Sequence, residues 1–534
     1  MKLETFFEKF DQLADAPNAV AKMRELVMWS AFSGAFSSEE RNLPMPEEWA
    51  IDGAPTLPAI PSSWKWQRGS EVFEVIRGVS YKKNDASDSP VEGSFPVLRA
   101  NNIGNGINFD GLVYVPRDNI RDEQFVRRGD ILIAMSSGSK KLVGKAAPIV
   151  TEFTGAFGAF CGVIRNKSAM PDEVLARYFE SPQYTSWVTA AGRGIGINNL
   201  GRGDLDSLPV PTPPLAEQKR IVAKVDELMA LCGRLEGQQQ ERETRHAALA
   251  RASLARFADA PTPANLNVLF HDSYTIDPAD LRKSILTLAV QGKLVPQDPN
   301  DEPAETLLAR LTKREAQDND RRRKSEPMQA FTPDEIPFEL PSGWAWERLG
   351  NIGETNIGLT YSPQDVSEVG IPVLRSGNIQ NGKLDFEDLV RVKSEPKQSV
   401  MAHDGDLLIC ARNGSRALVG KVAVIEGLKE PAAFGAFMAI FRSEVNQYLY
   451  HFICSPLFRQ MIDEVNTTTI NQITQSNLRS TLAPIPPLAE QRRIVAKVDQ
   501  LMALVNRLED QLLKSRTTAT TLMEAVVAEF TTQV

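Results

Sequence analysis

Near the end of the chain the apolar positions advance by alternating steps of four and three: Ile494, Val498, Leu501, Val505, Leu508 and Leu512, then Ala519, Leu522 and Val526. A stripe that narrow and that sustained predicts a long helix seeking a coiled-coil partner rather than a helix sunk in a core. The same stripe starts at Ile221, Val225, Leu228, Cys232 and Leu235, then turns polar at Gln239, Arg242 and His246 before Leu249. Unbroken from Pro214 to Phe257, this first helix would reach roughly 65 Å at 1.5 Å per residue. Both stripes open on one phrase: PPLAEQKRIVAKVD at Pro213–Asp226 returns as PPLAEQRRIVAKVD at Pro486–Asp499. Two nearly identical helix starts imply an internal duplication.

The segments before each phrase show a different pattern. Short apolar runs such as Ile131–Met135 and Leu407–Ala411 are bounded by Gly, Asn and Asp, which is the grammar of strands and turns. They recur in order. PSSWKW (Pro61–Trp66) returns as PSGWAW (Pro341–Trp346), FPVLRANNIGNG (Phe95–Gly106) as IPVLRSGNIQNG (Ile371–Gly382), and FGAF (Phe157–Phe160) as FGAF (Phe434–Phe437). RRGDILIAMSSGSKKLVGKAAPI (Arg127–Ile149) matches HDGDLLICARNGSRALVGKVAVI (His403–Ile425). A helix is expected over Asp172–Ala191 and another over Asn446–Val465. Each copy therefore reads as an α+β module of about 150 residues, a normal domain size.

The duplication extends to the start. A helix is expected over residues 3–14, and a second from Asp15 and Pro17 to Gly34, where glycine ends it. Its segment Met23–Phe36 is echoed at Leu281–Leu294, with Arg24 against Arg282 and Gly34 against Gly292. Five segments follow: 1–60, helical; 61–213, the first module; 214–340, a central helical spacer and linker; 341–486, the second module; and 487–534, a C-terminal spacer helix. The fold class is α+β, two duplicated globular modules separated by long helices that pair as an antiparallel coiled coil.

Composition adds limits. A chain of 534 residues, 42% hydrophobic and 24% charged, is expected to be soluble and to hold several cores. Four cysteines lie far apart without a CxxC pair, which removes a zinc ribbon and favours a reducing compartment. The N-terminus has no signal-peptide pattern, and no run approaches the roughly 20 apolar residues of a membrane span, so a cytoplasmic protein is expected.

Chemistry is mostly missing. There is no P-loop, HExxH, GxSxG or Cys/His nucleophile arrangement, and the four histidines share no metal-ligand spacing. The acids Asp130 and Asp406 precede apolar strands, where a salt-bridged turn is the ordinary reading. No catalytic residue, cofactor site or metal site is expected on this chain.

What remains is binding. The net charge is -8, and the modules hold 18 basic against 16 acidic and 13 basic against 15 acidic residues, so a purely electrostatic nucleic-acid binder is unexpected. Basic and amide side chains nevertheless gather in loops. The first module offers Arg99, Asn101 and Asn102, then Ser137, Ser139, Lys140 and Lys141, then Arg193, Asn198 and Asn199. The second offers Arg375 and Asn378, then Arg412, Asn413, Ser415 and Arg416, then Thr469, Asn471 and Gln472. Arg, Asn and Gln can pair with guanine and adenine edges, while Ser, Lys and backbone amides suit phosphates. Any one of these residues reads equally well as a polar turn residue without a ligand. The loops differ between copies within a shared frame, SSGSKK against RNGSRA, as expected of one mechanism turned on two targets.

The paired PPLAEQ phrases, the PVLR–NI–G and GDxLIxxxxGS–LVGK segments and the linker LAVQGKLVPQDPNDEPAETLLARL resemble the specificity subunit of type I restriction–modification systems. The resemblance covers nearly the whole chain. It implies a non-catalytic subunit whose modules are target-recognition domains, each reading one half of a bipartite, gapped sequence in double-stranded DNA. The helices would be conserved spacers fixing the gap. It further implies docking of two modification (methyltransferase) subunits and of restriction (translocase/nuclease) subunits, with S-adenosylmethionine, ATP and Mg on those partners. A coiled-coil scaffold with duplicated protein-binding modules is the alternative, and it leaves the divergence of the polar loops unexplained.

Overall fold

The computed structural model describes residues 18–532, apart from 38, 53, 55, 138–141, 192–197, 272–273, 323–327, 329, 394 and 466–470. Two compact units result, one formed by the residues up to Glu241 with those from Lys514 onward, the other by Arg242–Leu513. The helices Leu215–Asp259 and Leu488–Thr532, 45 residues each, are divided between them. The start of the first shares a unit with the end of the second, and the end of the first with the start of the second.

Each module begins and ends side by side. Lys65–Arg68 pairs antiparallel with Pro209–Thr212, and Ala345–Arg348 with Leu482–Ile485. Proline suits both closing strands because each is at the edge of a two-stranded ladder, where missing N–H groups are tolerated. The next residues start the long helices, and here the repeated phrase shows its purpose. Trp64 Nε1 donates to Glu217 Oε2 at 3.0 Å and Trp344 Nε1 donates to Glu490 Oε2 at 3.0 Å, all four residues being buried. Gln218 and Gln491 turn back to donate to the carbonyls of Pro213 and Pro486. The acids also lie in the first helical turn, where unpaired N–H groups favour negative charge.

Within the first module a four-stranded antiparallel sheet runs in the order Phe73–Arg77, Cys161–Asn166, Ile131–Ala134, Ala146–Pro148. A smaller mixed sheet sets Ser94–Leu98 between Ala156–Phe157, parallel, and Val113–Pro116, antiparallel. The second module repeats the larger sheet as Glu354–Ile357, Met438–Arg442, Leu407–Cys410, Val422–Val424, and the smaller around Ile371–Leu374. The central strands are apolar except for Arg165, Asn166 and Arg442 at their ends, because both faces of the sheet are covered.

The helices expected over Asp172–Ala191 and Asn446–Val465 are each broken in two. Asp172–Phe179 is followed by Pro182–Ala191, and Asn446–Ile453 by Pro456–Val465. Pro182 and Pro456 can start a helix but cannot continue one, lacking the N–H and crowding the preceding turn. The segment expected to begin at Asp15 is helical over Ala19–Phe32, and the one expected over 3–14 lies outside the described residues. Pro278–Val290 matches the former, and the two helices end alike at Gly34 (φ 77°) and Gly292 (φ 67°). A Cβ on Gly34 would lie 2.3 Å from Pro61 Cδ, and one on Gly292 would lie 2.5 Å from Pro341 Cγ, so both positions need glycine.

The stripe on the C-terminal helix holds as far as Val505: Ile494, Val498, Leu501 and Val505 are fully buried in one core with Phe257, Leu281 and Ile285. Further on it departs from the expectation. Leu522 is exposed and Met523 is buried, so the last step after Ala519 is four residues rather than three. A strict heptad drifts around a 3.6-residue helix, and one longer step restores the apolar side.

Candidate nucleic-acid interface

Ser137 and the loop Arg412–Arg416 follow the strands Ile131–Ala134 and Leu407–Cys410, whose starts are fixed by ion pairs. Arg165 donates to both oxygens of Asp130 at 2.9 and 2.7 Å, and Arg442 to both oxygens of Asp406 at 2.7 and 2.6 Å. Both acids are thus structural, as their position before a strand suggested. Under the loops lie small cores, Leu98, Ile103, Leu132, Phe157 and Val163 in one module, Leu374, Ile379, Leu408, Phe434 and Ile440 in the other.

In the second module the three loops meet. Arg412 forms a single antiparallel bridge with Gln472. The N–H of Asn413 donates to the Asn471 carbonyl at 3.4 Å, Asn471 Nδ2 donates to the Gly414 carbonyl at 3.2 Å, and Asn413 Nδ2 reaches Ser376 Oγ at 3.5 Å. Asn413 also accepts from the Ser415 N–H at 3.0 Å, a turn that shapes its own loop. Arg416 is turned away and ion-paired with Asp463 at 3.1 Å, the same acid that Arg459 holds. Arg412 is exposed, its guanidinium 5.5 Å from the centre of the Phe437 ring.

The first module repeats the plan with different side chains. Ser136–Ser137 pairs with Asn198–Asn199, Asn198 opposite Ser137 and Asn199 opposite Ser136. Asn199 and Asn101 are exposed. Arg99 donates through Nη2 to the Gly111 carbonyl at 2.8 Å, and Arg375 reaches Asp388 Oδ2 at 3.4 Å. The candidates Ser139, Lys140, Lys141, Arg193 and Thr469 lie outside the described residues.

Two candidates must be withdrawn. Asn102 and Asn378 are buried. Asn102 accepts from the Arg99 N–H and donates to the carbonyls of Asn108 and Asp110, while Asn378 accepts from the Arg375 N–H and donates to those of Asp385 and Asp388. Both amide hydrogens of each are spent on folding the turn, and the side chain is buried in it.

A further pair of exposed side chains, Phe160 and Phe437, stands beside the candidate loops. The tight turn that begins within FGAF is closed by Cys161 N–H to the Gly158 carbonyl in one copy and Met438 N–H to the Gly435 carbonyl in the other, both 2.8 Å. Phe157 and Phe434 point inward and are fully buried, whereas Phe160 is 70% exposed and Phe437 60% exposed. A Cβ on Gly158 would lie 3.8 Å from Arg99 Cγ, and one on Gly435 would lie 3.9 Å from Arg375 Cγ, so each turn stands beside the module's first candidate loop. The letter-for-letter return of FGAF was the available signal.

Burial pushes the Cys161 thiol up to about 12 and raises that of Cys410 as well, so neither sulfur is an activated nucleophile. What the loops present is a guanidinium, amides, hydroxyls and a ring. That inventory suits recognition of bases and phosphates.

Residues 61–243 and 341–515 each match the family described as the type I restriction modification DNA specificity domain. The chain is similar to the EcoKI specificity subunit of Escherichia coli strain K12, 30% identical over 481 residues, covering 88% of this chain and 89% of that one. It is likewise similar to the Escherichia coli EcoAI specificity subunit, 28% identical, covering 84% of this chain and 79% of its relative. A solved structure concerned with complex assembly and conformational transition of a type I R-M system contains a chain that shares the fold, with a TM-score of 0.53 and 20% identity over 88% of this chain and 98% of that chain.

Proposed function

The chain belongs to the type I restriction–modification specificity subunits, and from that premise we propose that each module reads one half of a bipartite DNA target while the long helices set the gap. Recognition of a DNA target is the role the family carries; the division of labour is the part inferred. One observation carries it. The scaffold is duplicated down to the Trp–Glu joint, yet the loops gathered at equivalent places differ, Ser136–Ser137 with Asn198–Asn199 against Arg412–Asn413 with Asn471–Gln472. A shared frame with divergent reading groups suits two different half-sites.

In this reading the subunit is non-catalytic and works in the cytoplasm. Two methyltransferase subunits carrying S-adenosylmethionine dock on it, as do restriction subunits using ATP and Mg. Two modules joined by stiff helices bind as a tandem ligand, so the helix length decides which gap lets both engage together. Footprinting the complex on its target tests this: two short protected blocks separated by an unprotected gap are expected. One continuous block would overturn the division into half-sites.

A further inference from the structure

We propose that Phe160 and Phe437 are wedges that press into a base step of each half-site and unstack it, a task common to both modules and independent of the sequence read. The inference rests on the reading of the modules as DNA-binding domains.

Exposed phenylalanine is costly when nothing covers it, because a large apolar surface is left in water. Here it occurs twice, at one place in a duplicated frame. Neither ring is on a loose loop. The Phe160 carbonyl accepts from the N–H groups of Met135 and Ser136 at 2.9 and 3.1 Å, and the Phe437 carbonyl from those of Ala411 and Arg412 at 2.9 and 3.0 Å. These bonds, with the closure of the turn, fix the residue while the ring projects. The turn also lies flat on its neighbour: a Cβ on Gly78 would come 2.1 Å from the Gly158 oxygen, and one on Gly358 would come 2.3 Å from the Gly435 oxygen.

The neighbourhood is that of a nucleic-acid contact. Arg99 and Arg375 flank the turns on one side, and Ser136 or Arg412 follows on the other. The Arg412 guanidinium takes one face of the Phe437 ring, leaving the rest to a ligand. Apolar side chains inserted at a base step are a recurring way to unstack a duplex. The contrast with the polar loops carries the assignment. Residues that read bases should differ between modules, whereas a group that opens the stack should be the same, and FGAF is the same.

The test uses the full chain in complex with its methyltransferase partner and a cognate duplex carrying 2-aminopurine at successive positions of one half-site. Wild type should raise the fluorescence at one step in each half. Phe160→Ala should abolish the rise in the first half alone and Phe437→Ala in the second, each weakening binding by about tenfold to a hundredfold, the range for loss of one stacked base. Phe160→Leu should restore part of both signals. Unchanged melting of the variants confirms folding. If wild type binds the gapped duplex and Phe160→Ala binds with the same fluorescence rise, the wedge is wrong while the half-site reading stands. If binding falls with no unstacking in wild type, the ring packs on a groove edge, and the wedge is again overturned. If wild type does not bind the gapped duplex, the half-site reading itself fails.

Discussion

The indole nitrogen of Trp344 donates a hydrogen bond to the Glu490 carboxylate across 3.0 Å, tying the first turn of the second module to the first turn of the C-terminal helix. Trp64 and Glu217 make the same bond at 3.0 Å. The joint explains why the phrase PPLAEQ returns so faithfully: its prolines leave the module, and its acid and amide lock the helix onto it.

Glu490 is buried, and desolvation raises its carboxyl above the usual carboxylate range despite hydrogen bonds from Gln297 and Trp344. A folded-state pKa above the unfolded one means the folded protein holds the extra proton, so this group's contribution is full at low pH and is lost as pH rises through the raised value. Glu490→Gln keeps an acceptor for Trp344 and removes that pH dependence. Melting temperature against pH should therefore fall less steeply above about pH 4.5 in the Gln variant than in wild type. Glu490→Ala, which strands the indole N–H, should cost about 1–3 kcal/mol at neutral pH in denaturant titration.

The buried ion pairs give a ranking. The side chains of Asp130 and Arg165 are 3% and 10% exposed, while Arg442, paired with Asp406, is 33% exposed. Removing one partner of a well-buried pair costs about 3–5 kcal/mol because the other charge is stranded. Asp130→Ala should fall in that range and Asp406→Ala below it, where water reaches the arginine. Equal losses by denaturant titration would contradict the assignment.

Arg412 and Arg416 are four residues apart and should behave differently. Arg416 is held by an ion pair to Asp463, which Arg459 shares, whereas Arg412 has its guanidinium over a ring. Arg412→Ala should weaken DNA binding and, where Arg412 contacts a phosphate, lower the slope of log affinity against log salt by about one. Arg416→Ala should leave that slope unchanged. Titrations at several salt concentrations separate the two.

The spacer helices admit a geometric prediction. Inserting one heptad after Glu241 and another after Leu513, where the two units divide, keeps the apolar stripe in phase. Seven residues add ~10 Å, about three base pairs of duplex. Methylation mapping should show the gap longer by that amount with both half-sites unaltered.

Much of this was legible because periodicity reports burial directly. Ile494, Val498, Leu501 and Val505 step as a stripe and are buried as one, and the matched phrases show the duplication by themselves. Helix breaks at Pro182 and Pro456 were missed because the apolar pattern continues through them. The site was harder to read. Asn102 and Asn101 are neighbours with opposite fates, since which amide turns inward depends on carbonyls six and eight residues further on. Phe157 and Phe160 share a motif of four letters, and only the tight turn between them decides that one ring is core and the other surface.

The most direct test of two modules reading two half-sites is single-molecule methylation sequencing of DNA from cells in which residues 61–213 have been replaced by the corresponding module of a relative. The account predicts a gapped motif in which one half changes while the other half and the gap are retained. A motif altered in both halves, or one without a gap, would contradict it.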